Sequence, residues 1–122
     1  MHHVAIGHQF GVSDADIQAV IDDTDGKPTM LDPLTLMVLK AAREMTAGGA
    51  MSQATFKFLQ SDLGNERMVD LTITIAFYCA VVRILATLQV DIEPDYRPYL
   101  ERWPMPPWQE SSVSRAPPNQ MV

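Results

Sequence analysis

The sequence predicts an all-α domain of several helices followed by a proline-rich tail, and three observations carry that expectation. Apolar residues recur at three- and four-residue spacing through most of the chain as far as Leu88. Start and stop residues (Ser13, Asp32-Pro33 and Ser52; Gly11, Gly48-Gly49 and Gly64) fall where that period begins and ends. Most of the nine prolines then crowd into "PDYRPYLERWPMPPWQESSVSRAPP", where no helical period survives. No strand is expected: "LTITIAF" alternates briefly, but its flanks are helical and no partner strand is on offer.

The elements follow in order. His3, Ile6 and Phe10 share one face of a first helix that runs from His2 to Phe10 and stops at Gly11. Ser13 caps a second helix whose Asp14 and Asp16 suit the positive end of its dipole and whose Ile17, Val20 and Ile21 form an apolar face. "DTDGKPTM" reads as a loop. Asp32 and Pro33 open a third helix with Leu34, Met37, Val38, Ala41 and Met45 on one side, ended by Gly48-Gly49. Ser52 caps a helix over residues 55–63, with Gly64 as its C-cap. Asn65 caps a last helix from Glu66 to about Leu88, apolar on nearly every side and therefore central, covered by the other helices or by another subunit.

At 122 residues the chain suits one domain, placed at residues 1–94, with residues 95–122 as a tail. Tyr96, Tyr99, Leu100, Trp103, Met105 and Trp108 give the tail's first part enough apolar surface to strap across the domain or a neighbouring subunit as far as residue 108. Residues 110–122 are expected to be disordered.

Charge and cysteine usage exclude several classes of function. Nine basic against fifteen acidic side chains leave a net charge of −6 with no run of Lys or Arg, so neither nucleic acid nor a membrane surface is an expected partner. Cys79 is the only cysteine, which excludes an internal disulfide, a CxxC pair and a cysteine-rich zinc site, and suits a reducing cytoplasm. No basic region followed by an apolar run opens the chain, so no secretory signal is visible. The longest apolar run, Ile75 to Val82, is too short for a membrane span, and widening it brings in Asp70, threonines and Arg83.

Chemistry has few places to sit. His3 and His8 are five apart, off the spacing of a helical metal pair, and no metal is expected. His2 and His3 point about 100° apart on a helix, so at most one faces a pocket, and the alternative is a solvated His2 beside a satisfied, partly buried His3. Arg83 lies in the apolar "YCAVVRILATL" and needs an acceptor: an anionic substrate group, or a structural partner such as Asp70, Glu44 or a chain end. The Tyr78 hydroxyl donates either to a substrate or to a backbone carbonyl. Cys79 has no cationic neighbour in sequence to lower its pKa and reads as an inert buried thiol. No nucleophile elbow, P-loop, dinucleotide fingerprint or zinc-protease motif is present, and no cofactor is expected.

The order of "HHVAIGHQFGVSDADIQAVI", "LDPLTLMVLKAAREMTAGG", "MSQATF" and "MVDLTITIAFYCAVVRILATL" resembles the carboxymuconolactone decarboxylase family, which includes the alkyl hydroperoxidase D-like proteins. The resemblance spans about residues 2–94, and it implies an all-helical lyase-like protein that forms trimers or hexamers of identical chains. It further implies acid–base chemistry, a decarboxylation or related proton transfer, on a small organic acid or lactone. The resemblance carries over His3 alone, as the catalytic proton carrier; Arg83, Tyr78 and His2 are the candidates for binding substrate. The thiol peroxidase activity of hydroperoxidase-type members is not expected, because no CxxC precedes His3. By the same resemblance the family's thiol or acidic group would lie ahead of Met1. A second expectation, from a different class of function, is a non-catalytic helical subunit of an oligomeric complex.

Overall fold

The computed structural model describes residues 2–91 and 94–104, and these are helical with no strand among them. The elements are α1 (His2–Gln9), α2 (Asp14–Thr24), α3 (Pro33–Gly48), α4 (Gln53–Thr87), a 3₁₀ turn (Pro94–Tyr96) and α5 (Arg97–Arg102). The starts of α2, α3 and α4 are set by side-chain caps that satisfy otherwise orphaned N–H groups. The Ser13 hydroxyl accepts from the Asp16 N–H at 3.2 Å while the Ser13 N–H donates to Asp16 Oδ2 at 2.8 Å. Asp32 Oδ1 accepts from the Thr35 N–H at 3.0 Å, with Pro33 in the first turn. The Ser52 hydroxyl accepts from the Thr55 N–H at 3.3 Å. Gly49, at φ 82°, ends α3 in the left-handed conformation.

The connection from α3 to α4 is held by one carboxylate. Glu44 Oε2 accepts the Ser52 N–H at 2.8 Å, and Oε1 accepts the hydroxyls of Ser52 and Thr55, each at 3.2 Å. The Ser52 N–H is the chief cause that holds the Glu44 carboxyl below its ordinary value of 4.5; partial burial opposes it, and the Thr55 and Ser52 hydroxyls and Lys40 assist. Thr55 itself is buried.

Residues 53–87 form one element broken at Gly64, whose φ of 75° and ψ of 172° are not helical. The sequence places this boundary correctly, and the differences are in its chemistry. The helix continues directly on the far side, and the Asn65 side chain does not cap it: Oδ1 accepts instead from Gln60 Nε2 at 2.8 Å, across the break. Both arms of α4 pack on α3. Ala41 of α3 shares one buried cluster with Leu59 of the first arm and Met68 and Ile75 of the second. Leu34, Met37, Val38 and Met45, the face read from the sequence, line that cluster with Phe56, Leu63 and Leu71.

The core is small. Among the described residues only Ala41, Thr55, Leu59, Met68 and Ile75 are buried, while Val69, Ile73, Phe77, Tyr78, Val82, Ile84, Leu85 and Leu88 are exposed on the second arm of α4. The expectation that this helix is covered on all sides is therefore not met by the other described helices of the same chain. Among the described residues α4 is also the one helix long and apolar enough to cross a membrane. Its best window has a mean hydropathy of 1.9 and is 6% buried. The uninterrupted run of Ile75 to Val82 understates this, because the threonines and single charges around it lower the average little.

The tail differs from its sequence reading too, since residues 94–102 are helical where no helical period was read. Pro94 and Pro98 fall near the starts of short helical pieces, where a missing N–H costs nothing. Tyr96, Tyr99, Leu100 and Trp103 are half-buried. Met105, Trp108 and the segment 110–122 lie outside the described residues. Gly64 occupies a backbone region essentially closed to other residues, so Gly64→Ala is expected to cost about 1–3 kcal/mol. Urea denaturation measures it, and an unchanged midpoint would mean that the break is not needed for folding.

Candidate functional site

The start of α1 meets the second arm of α4 through one ring contact. The His3 and Tyr78 rings meet edge to face, with centroids 4.6 Å apart and planes at 88°. Tyr78 is braced on another side by Phe77, whose ring centroid is 5.7 Å away at 74°. Such perpendicular contacts place the positive edge of one ring against the negative face of the other. Two residues that the sequence singles out separately are thus brought together from distant parts of the chain. Neither is buried: His3 is exposed, and Tyr78 is 42% exposed.

Arg83 does not join them through an ion pair. Its Nη1 donates at 3.3 Å to the Cys79 carbonyl of its own helix, and the side chain is exposed. Its acceptor is neither Asp70 nor Glu44; Glu44 is committed to the α3–α4 connection. An exposed arginine can lay its stem on an apolar helix and keep its head in water, so the demand for a buried carboxylate disappears. Cys79 is half-buried rather than deep, with Sγ 3.4 Å from the Thr46 hydroxyl, and it does have a cationic neighbour, because Arg83 one turn on reaches its carbonyl. His2 lies in the first turn of α1, and its side chain is outside the described part of the structure.

A second arrangement was not legible in the sequence, where His8 entered only as a possible metal partner of His3. His8 Nε2 approaches Asp14 Oδ1 at 3.1 Å, and the other oxygen of Asp14 pairs with Arg102 of α5. The His8 ring also lies 6.3 Å from that of Tyr99. Asp14 thereby touches the end of α1, the start of α2 and the end of α5. The aspartate at the opening of α2 is visible as a dipole partner, but no local pattern points from it to an arginine in the tail.

A groove of about 520 Å³ lies elsewhere. It opens at the break in α4 between Phe56, Gln60, Asn65, Met68, Val69 and Ile73. Among the described residues no group of three or more His, Cys, Asp or Glu side chains could hold a metal ion. Comparison with known protein families, with curated proteins and with solved structures gives no match for this chain.

The ring contact makes a direct prediction. Replacing Tyr78 with Leu is expected to move the carbon-bound proton resonances of the His3 imidazole, which lie in the tyrosine's ring-current field, and to leave those of His8 in place. Unmoved His3 resonances would mean that the two rings do not meet in solution.

Proposed function

We propose that this protein is carboxymuconolactone decarboxylase-like and carries out acid–base chemistry, a decarboxylation or related proton transfer, on a small organic acid or lactone, working as a homo-oligomer in the cytoplasm. The observation that supports this reading is the contact of His3 with Tyr78. Imidazole is the commonest general acid–base group, and a proton carrier works only when held in a defined orientation. Tyr78 gives the imidazole such a support and offers a phenolic hydroxyl beside it. Arg83, exposed further along the same helix, is the candidate anchor for a substrate carboxylate, and its planar guanidinium matches that group. His2 adjoins His3 and keeps a candidate role in substrate binding. Under this reading His3→Gln lowers turnover of a carboxylated lactone by about 10²-fold or more, the usual contribution of a positioned acid–base group. The check is carbon dioxide release with the circular dichroism spectrum unchanged, and undiminished release would remove His3 from the mechanism.

A second reading, a non-catalytic assembly subunit, is favoured by the outer face of α4. Val69, Ile73, Phe77, Ile84 and Leu88 recur at helical spacing, with Ala80 filling the gap, and each is at least 55% exposed. Over this span a helix is about 30 Å long, enough for a full helix–helix seam. A second copy suits the strip better than lipid does. Asp70 and Arg83 interrupt the same arm, and charges in a bilayer core are costly. Self-association belongs to both readings. Sedimentation should show an assembly well above 13.6 kDa, which Ile73→Glu with Ile84→Glu reduces to that mass. A parent chain that sediments as a monomer would overturn the assembly, and partition of that monomer into lipid vesicles would show that the strip faces a bilayer instead.

A further inference from the structure

The Asp14 junction has no role in either reading, yet it joins three helices that otherwise belong to different parts of the fold. Helix α1 has only two turns, and Ile6 on it and Phe10 just past its end are exposed. Its far end is fixed by a tight reversal in which the Val12 N–H reaches back to the Gly7 carbonyl at 2.9 Å. What ties that end to the C-terminal segment is charge and ring contact. Asp14 takes Arg102 on one oxygen and His8 on the other, and Tyr99 lies against His8. The 3.1 Å approach of His8 lacks the alignment of a hydrogen bond, for Asp14 Oδ1 has no such partner among the described residues. That half of the junction therefore has no hydrogen bond behind it.

The docked segment is poised rather than locked. The side chains of His8, Asp14 and Arg102 are 34%, 39% and 63% exposed, so salt screens their attraction. Trp103 is half-buried beside Arg102, whose guanidinium carbon is 5.7 Å from its ring centroid. Its indole N–H is buried with no acceptor among the described residues, which works against docking.

We propose that residues 94–104 are a salt-sensitive strap, latched through Arg102 on Asp14, and that closing the strap seats α1 so that His3 meets Tyr78. The strap is a conformational control on the candidate site that acts through helix position. It does not depend on which reaction the site performs, because it is read from structure rather than turnover.

The test uses the full chain with Trp108→Phe, which leaves Trp103 as the only tryptophan. Asp14→Asn removes the charge at the junction and keeps the shape of the side chain. It is expected to raise acrylamide quenching of Trp103 by about twofold and to speed tryptic cleavage after Arg102 by roughly tenfold, as local opening without global unfolding does. About 0.5 M sodium chloride should move the parent chain in the same direction and the Asp14→Asn chain little. Arg102→Gln, placed on the strap itself, must reproduce the change in quenching; it guards against a folding defect of Asp14→Asn at the start of α2. The His3 imidazole resonances should shift in both variants. Unchanged quenching in both, with intact circular dichroism, would overturn the latch, and a loosened Trp103 with unmoved His3 resonances would overturn its coupling to α1.

Discussion

The break at Gly64 is the constraint on which the rest of the fold depends. A straight helix over residues 53–87 would present only one run of side chains to α3. With a φ of 75° at one residue, the chain changes direction and both arms reach the same helix. Leu59 comes from before the break, and Met68 and Ile75 from after it, yet all three enclose Ala41. An alanine at the centre allows this close approach, because anything larger would hold one of the arms away. The Glu44 carboxylate acts on the same arrangement from the other end. By taking the Ser52 N–H and two hydroxyls it sets how α4 leaves α3, and its lowered pKa is the electrostatic signature of those bonds.

The exposed apolar face follows from that geometry. Helix α3 has sixteen residues and meets both arms of α4, so it packs against the second arm only as far as about Cys79. From Val82 to Val90 every residue of the chain is exposed. The short α1 covers part of what remains, at Tyr78, and leaves the strip from Val69 to Leu88 open. Among the described residues four buried apolar side chains are few, since small domains already bury a low share of their surface. An apolar face of this extent on so slight a core is the observation behind the proposed assembly.

What was legible in the sequence was what local chemistry decides. The caps at Ser13, Asp32 and Ser52, the stop at Gly49 and the break at Gly64 are each written in one to four neighbouring residues, and each is in place. The inner face of α3 was equally legible, because a period of 3.6 exposes it. Asn65 was misread since an amide near a helix start has two uses, and the choice was made by Gln60 across the break. The helical turns after Pro94 were hidden because proline-rich sequence has no period to read. Of the candidate site, His3, Tyr78 and Arg83 were all singled out, but their relation was not: the meeting of His3 with Tyr78 depends on how α1 folds back. The role of His8 depends on a tail residue that no local pattern links to it.

Proton transfer and assembly are not independent demands on this surface. An imidazole beside a phenol in open water has few of the advantages of a catalytic site, because solvent screens its charges and competes for its hydrogen bonds. Tyr78 is exposed, and the ring that braces it, Phe77, belongs to the uncovered strip. A second copy seated on Phe77 would exclude water from one side of Tyr78 while it buries the strip. Helix α1, held by Asp14 at its far end, supplies His3 from the other side. In the proposed reading the apolar face is therefore not only the surface that completes a small core. It is also a wall of the proposed site, one that the described helices of the same chain do not supply.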